Sequence, residues 1–221
     1  MTLPNIQAVV FDFDGVILDS AKIKTEAFVE VYHDHPEHKA DIQSYHLANQ
    51  GVSRFVKFRW IAENLLGQPA TETEIEELGK RFSNLVLQQV LASSHIPGSL
   101  EFLKFLRQNE IPAFVASGTP EEELRHIVEK RDLTNFFQGV FGTPKSKTDI
   151  IRNIQSEHGF TSDRMLMLGD ASTDFEAASE TGLHFVGVFS EEMKAYWAEQ
   201  DAYIAKDLTN IDARFNWVSA A

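Results

Sequence analysis

Ile6-Gln7-Ala8-Val9-Val10-Phe11-Asp12-Phe13-Asp14-Gly15-Val16 decides how this chain reads. A short, nearly continuous apolar run ends in two carboxylates two residues apart, followed by glycine. Continuous rather than alternating apolarity marks a parallel strand covered on both faces. Ligands of open parallel sheets gather outside the carboxyl ends of the strands, and Asp12 and Asp14 stand at such an end. Two ionised carboxylates this close repel one another unless a cation joins them. The string therefore carries more than the tight turn that Asp-Gly alone signals. Gly15 comes too early for an EF-hand loop, which needs glycine at its sixth position.

The same arrangement recurs along the chain. The run Ile111 to Ala116 leads into Ser117-Gly118-Thr119-Pro120, and the run Met165 to Leu168 into Gly169-Asp170-Ala171-Ser172-Thr173-Asp174. A further run spans Phe185 to Phe189, with weaker ones at Val140-Phe141 and Ala202 to Ala205. Helical stripes lie between them: Leu100, Leu103 and Leu106; Leu124, Ile127 and Val128; Ile150, Ile151 and Ile154, stopped at Gly159; Phe175 and Ala178, stopped at Gly182. Thr119-Pro120-Glu121-Glu122 predicts a capping box with proline at the first helical position, and Thr173 to Glu176 a second Thr-x-x-Glu start. Alternating strand and helix predict an α/β fold with a doubly wound, mostly parallel sheet.

Residues 20–94 break the alternation. They hold no convincing strand and read as helices over Ala21 to Tyr32, Val52 to Leu66 and Thr73 to Leu91. The predicted organisation is an α/β core of residues 1–19 and 95–221, with an all-helical domain of residues 20–94 inserted after the first strand and Pro97-Gly98 as the return hinge. There is no internal repeat.

Composition excludes several functions. With 221 residues and 43% hydrophobic content the chain is long enough for a globular core with an insert. A net charge of −13 disfavours nucleic acid and anionic membrane as partners, but leaves room for a small phosphorylated metabolite at a locally positive site. The absence of cysteine rules out disulfides, thiolate nucleophiles and cysteine zinc sites. No run of 18 apolar residues occurs, and Met1-Thr2-Leu3-Pro4-Asn5 lacks a basic, apolar leader. The expected location is cytoplasmic; the composition carries no signal of oligomeric state.

Asp-x-Asp, then Ser117, then the lysines of Pro144-Lys145-Ser146-Lys147, then Gly-Asp-x-x-x-Asp follow one another, each beside an expected strand end. Taken in this order they resemble the haloacid dehalogenase superfamily, in its capped phosphatase branch of phosphoglycolate phosphatase and β-phosphoglucomutase type. The resemblance covers nearly the whole chain and implies a Rossmann-like core with residues 20–94 as a small helical cap. It implies that Asp12 attacks phosphorus and forms an aspartyl-phosphate, and that Asp14 protonates the leaving alkoxide and then activates water. It implies Mg²⁺ as cofactor, held by Asp12, the backbone carbonyl of Asp14 and Asp170, with Asp174 supporting the metal shell or orienting the lysine. Ser117, with Gly118 and Thr119 beside it, meets the phosphoryl oxygens, and a lysine balances their charge. Lys147 matches the spacing of one branch of the family and Lys145 that of another; Lys147 is preferred. Dehalogenases of this superfamily lack the equivalent of Asp14, so its presence favours phosphate-ester chemistry.

In the expected cap, Gly51-Val52-Ser53-Arg54 resembles the β-phosphoglucomutase loop whose arginine binds a second phosphate, which makes Arg54 a candidate for an anionic substrate group. Lys24 stands where that family has a histidine, and Gly118-Thr119 where it has Ser-Lys; both departures weaken a mutase reading. Lys24 remains a candidate substrate contact at the edge of the cap. Lys57 and Arg59 read as a solvated helix face, as do Glu72, Glu74, Glu76 and Glu77. His33, His35, His38 and His46 read as surface histidines, and Phe55, Phe58 and Trp60 as cap core. A sugar-phosphate mutase and a non-enzymatic phosphate-binding module are the two alternatives to a phosphatase.

Overall fold

The computed structural model describes residues 4–219. The leader reading at Met1-Thr2-Leu3 lies outside them. The opening apolar run divides at Gln7, whose N–H is taken by the Arg164 carbonyl. Asn5–Ile6 (β1) pairs in parallel with Asn216–Trp217 (β8) near the C-terminus. Ala8–Phe11 (β2) becomes the central strand of a six-stranded sheet. The other strands are Ala113–Pro120 (β3), Gly139–Thr143 (β4), Met165–Gly169 (β5), His184–Val188 (β6) and Tyr203–Ala205 (β7). Their order is β4-β3-β2-β5-β6-β7, and every pair is parallel.

The chain works outward from β2 to one edge, then crosses back to β5 and works outward to the other. The carboxyl ends of β2, β3 and β5 therefore meet where the winding reverses, which is where such sheets bind ligands. Strand periodicity divides the core cleanly. Val9, Phe11, Val115, Leu166 and Leu168 face one side with the helix Ser99–Gln108 (α5) and the helix Glu121–Lys130 (α6). Ala8, Val10, Phe114, Ala116, Met165 and Met167 face the other with Lys147–His158 (α7) and Ser172–Thr181 (α8). A short helix, Lys194–Trp197 (α9), precedes β7.

Two expected helix starts are corrected. β3 runs on through Ser117 to Pro120, with an irregularity in its pairing after Ala116, so α6 begins at Glu121 and Thr119 does not cap it. In α8 the cap position is Ala171, and Thr173 instead donates to the Gln50 carbonyl at 3.2 Å.

Residues 21–92 are helical, as Ala21–Glu30 (α1), Lys39–Ala48 (α2), Arg54–Asn64 (α3) and Glu72–Ala92 (α4). The sequence reading missed α2. Its only buried positions are Ile42 and His46, one helical turn apart, so a histidine stands where periodicity seeks an apolar residue. Phe28, Phe58 and Phe82 fill the centre of the block, with Phe28 and Phe58 stacked at 5.1 Å and Phe82 edge-on to Phe28 at 5.7 Å. Phe55 is partly buried against them, whereas Trp60 lies at the surface, stacked on Tyr45 at 3.7 Å. Thr71 and Glu74 cap α4 reciprocally, which gives Glu74 a structural task beyond solvation.

The chain leaves for the helical block and returns from it side by side. Leu18 bridges His95, Asp19 N–H donates to the Ser94 carbonyl at 2.9 Å, and Ile96 N–H to the Ile17 carbonyl at 3.0 Å. This crossing lies ahead of Pro97-Gly98; Gly98 instead packs on the backbone of Leu208 and Thr209. No helix among the described residues is long and apolar enough to cross a membrane.

Candidate active site

Asp12 is the first residue beyond β2. Its N–H donates to the Leu168 carbonyl at 2.8 Å, which holds its backbone in line with the sheet. The chain then turns back through Gly15, where φ is +80° and a Cβ would fall 2.0 Å from the Asp170 carboxylate. Only glycine allows the Asp12–Asp14 turn to lie directly on the end of β5. Asp12, Asp170 and Asp174 thereby come together with carboxylate oxygens all within 4.8 Å of one another, and all three are buried.

One cation answers them. Lys147, the first residue of α7, is buried with its Nζ 2.5 Å from Asp174 Oδ1 and 3.2 Å from Asp12 Oδ2. Ser146 places it by capping α7, its hydroxyl accepting the Asp149 N–H at 3.1 Å. Lys145, two residues earlier, is exposed and makes no ion pair among the described residues. The other Asp174 oxygen accepts the Ala171 N–H at 3.1 Å, so both oxygens of Asp174 are engaged by the protein.

Three carboxylates facing one ammonium leave excess negative charge. At roughly 4–5 Å each like-charge pair costs about 3–4 kcal/mol at an effective dielectric constant near 20. Burial, and then Asp174 and Asp14, push the Asp12 carboxyl up to about 7 against the opposing pull of Lys147. Burial, Asp12 and Asp174 likewise hold Asp170 well above the usual carboxylate range. The same fields act on Lys147: burial disfavours its charge, but Asp12 and Asp174 outweigh burial and raise it. Asp12 Oδ1 is buried and has no hydrogen-bond partner among the described residues. An all-oxygen carboxylate set with an orphaned ligand atom and surplus negative charge fits a hard divalent cation, and lacks the nitrogen and sulfur donors that zinc prefers.

Asp14 sits in a different field. Its carboxylate accepts from Ser20 Oγ at 2.6 Å, from Lys24 Nζ and from Thr119 Oγ1 at 3.2 Å. Burial would raise it, but the Lys24 charge and these three hydrogen bonds outweigh burial and hold it below the usual range. Lys24 also donates to Thr119 Oγ1 at 2.6 Å. Thr119 thus belongs to the Asp14 cluster rather than to the start of α6. Ser117 is buried, and its Oγ accepts the Thr119 N–H at 3.2 Å, leaving the hydroxyl proton undirected toward any described residue. Gly118 lies beneath the loop between α2 and α3: a Cβ on it would fall 2.4 Å from the Gly51 carbonyl oxygen.

These groups open into a cavity of about 80 Å³ between the sheet and the helical block, lined by Asp12, Asp14, Ser117, Gly118, Thr119 and Asp170 on one side. Lys24, His46, Gln50, Arg54, Lys57 and Phe82 are among the residues on the other side. Arg54 is turned away from a free role. It donates to both Glu123 carboxylate oxygens, at 2.7 and 3.0 Å, and to Ser83 Oγ at 2.8 Å, and it lies over the Phe82 ring. This bidentate pair ties the helical block to α6 of the core. His46 and Lys57 are both buried in the cavity wall, where the sequence reading has surface residues. Lys57 follows Arg54 by one turn of α3, and that spacing is the one sequence signal that would have paired them. Glu123 stood in an acidic run whose local role, at a helix start, concealed it.

The fold and this constellation define a class. The sequence model of the family described as haloacid dehalogenase-like hydrolase matches residues 9–188, and the chain belongs to that family. Phosphoglycolate phosphatase of Aliivibrio fischeri is 24% identical over 188 residues, covering 81% of this chain and 82% of the relative. The phosphorylated carbohydrates phosphatase of Thermotoga maritima is 25% identical over 187 residues, covering 80% and 82%. Among solved structures, CbbY from Rhodobacter sphaeroides with phosphate superposes with a TM-score of 0.75 at 16% identity, covering 93% of this chain and 96% of that one. β-Phosphoglucomutase from Clostridium difficile gives 0.73 at 18%, covering 93% of each.

Proposed function

We propose that this hydrolase is a Mg²⁺-dependent phosphatase that releases phosphate from a small soluble phosphomonoester through an aspartyl-phosphate on Asp12. The observation that carries this is the buried Asp12 Oδ1, without a partner among the described residues, on a side chain that lines the cavity with Ser117 and whose other oxygen pairs with Lys147. The relatives named phosphoglycolate phosphatase and phosphorylated carbohydrates phosphatase support a phosphoric monoester hydrolase acting on a metabolite. The setting proposed is cytoplasmic, in keeping with a chain that has no cysteine.

In the first step an Asp12 oxygen forms a bond to phosphorus as the ester P–O bond breaks. Asp14, ionised at rest, passes a proton from its hydrogen-bonded partner Lys24 to the departing alkoxide. In the second, water attacks the phosphoryl group, Asp14 takes the proton, and the bond to Asp12 breaks. The Lys24 charge and the three hydrogen bonds favour the ionised form of Asp14, which suits water activation, and the proton taken from water returns to Lys24. Ser117 donates to a phosphoryl oxygen, and Lys147 offsets the charge of the anion approaching Asp12. Asp12, Asp170 and the Asp14 main-chain carbonyl would hold Mg²⁺. When bound, it neutralises charge between Asp12 and the phosphoryl oxygens. Asp174, with both oxygens committed, acts by orienting Lys147. Residues 20–94 serve as the cap, and the rest as the core; closure excludes water from the reacting groups. The mutase reading needs a cation for a second phosphate, and its candidate, Arg54, is already held by Glu123.

The test is phosphate release from a panel of metabolite monoesters in Mg²⁺ and in EDTA. The expected outcome is release from a few related compounds, lost by at least about 100-fold on chelation. Equal rates in EDTA, or isomerised product without phosphate, would overturn the proposal.

A further inference from the structure

Lys57 is 3% exposed in the cavity wall, and among the described residues no carboxylate lies within ion-pair reach of it. Among the described residues its single polar neighbour at hydrogen-bond distance is His46 Nδ1, at 3.2 Å, and its Nζ lies 5.2 Å from the centre of the Phe28 ring. A buried ammonium without an anion is costly. Burial, with Lys24, Arg54 and Lys147 acting in the same direction, pushes Lys57 down to about 7. His46 cannot be the missing anion, since an imidazole is either neutral or cationic, and burial and Lys57 keep this one neutral. A neutral ring accepting at Nδ1 occupies one of the three ammonium donors and leaves two for the cavity.

The other cations around the cavity are engaged. Lys147 pairs with Asp12 and Asp174, Lys24 with Asp14, and Arg54 with Glu123. Lys57 therefore offers one unspent positive charge on the wall that the helical block contributes to the cavity. We propose that Lys57, oriented by His46, recognises a carboxylate at the end of the substrate remote from its phosphoryl group. One charge matches a carboxylate; a second phosphate, carrying nearly two, would need Arg54 released from Glu123. A neutral polyol end would leave the ammonium unpaired. Gln50 Oε1, buried without a partner among the described residues on a side chain of the same cavity, adds an acceptor for a substrate hydroxyl. This inference rests on the phosphatase reading.

The test compares kcat/KM for 2-phosphoglycolate, 2-hydroxyethyl phosphate and ethane-1,2-diol bisphosphate in the wild type and in Lys57→Met, which keeps the length of the side chain without its charge. The wild type is expected to prefer the carboxylate over both others by at least about tenfold. Lys57→Met should erase that preference, with the loss in the KM of the acid, while a higher melting temperature shows that the variant folds. An unchanged preference in Lys57→Met, or a wild-type preference for the bisphosphate or the neutral ester, would overturn it. Calorimetry on Asp12→Asn, with and without Lys57→Met, using 3-phosphonopropionate and 3-hydroxypropylphosphonate, separates the two proposals. Tighter binding of the carboxylate that depends on Lys57, without turnover of any ester, would sink the phosphatase and keep the lysine's role. Equal or absent binding of both phosphonates would sink the lysine's role.

Discussion

Asp12→Asn abolishes phosphate release, by at least about 10³-fold, while the protein stays folded. Asparagine keeps the shape and the Leu168 backbone bond but is far too weak a nucleophile to open a phosphate ester. A second readout separates loss of chemistry from loss of structure. The Asp12 carboxyl is raised from 3.8 to about 7 by burial and its acidic neighbours. Between about pH 4 and 7 the folded state then binds more protons than the unfolded one, so stability falls as pH rises through that window. Asparagine removes this penalty. In metal-free buffer at pH 8 the variant should melt a few degrees above the wild type, and at pH 4 the two should converge. Thermal melts at the two pH values check this, and lower stability of the variant at pH 8 would contradict the charge balance described for the site.

Lys147→Ala is the second large effect. Among the described residues Lys147 is the single cation in contact with the three-carboxylate cluster, and it is buried between Asp12 and Asp174. Its removal leaves Asp12 facing Asp174 and Asp170 uncompensated, which impedes the approach of an anionic substrate. A fall in kcat of about 10²–10³-fold is expected, the scale of deleting one charge-stabilising donor from an active site. Lys145→Ala should stay within about twofold of wild type, because Lys145 is exposed and unpaired. Steady-state kinetics on both variants decide it; the reverse order would transfer the role to Lys145.

The parts of this molecule that read directly from sequence are those with local causes. An unbroken apolar run followed by a carboxylate predicts both a central parallel strand and the residue that stands at its end, and β2 with Asp12 and β5 with Asp170 follow that rule. Where a side chain had a plausible local task, the local task hid the distant one. Thr119 carries a helix-cap signature, yet its hydroxyl bonds Lys24, 95 residues away in the chain. Glu123 belongs to an acidic first turn, yet it holds Arg54 across 69 residues. His46 and Lys57 are polar residues on inward helix positions, and periodicity alone turns such residues outward. Their burial arises only when α1, α2 and α3 close around Phe28, and no spacing within one helix encodes that closure.

The most direct test of the central claim is rapid-quench mass spectrometry of the Asp14→Asn protein mixed with p-nitrophenyl phosphate and Mg²⁺. That ester has a leaving group that needs little help from an acid, so the first step proceeds while the second, deprived of its base, stalls. The account predicts one phosphoryl group per chain, located on the peptide containing Asp12, with a matching burst of p-nitrophenol. Steady release of p-nitrophenol with no phosphoryl group on that peptide would contradict it.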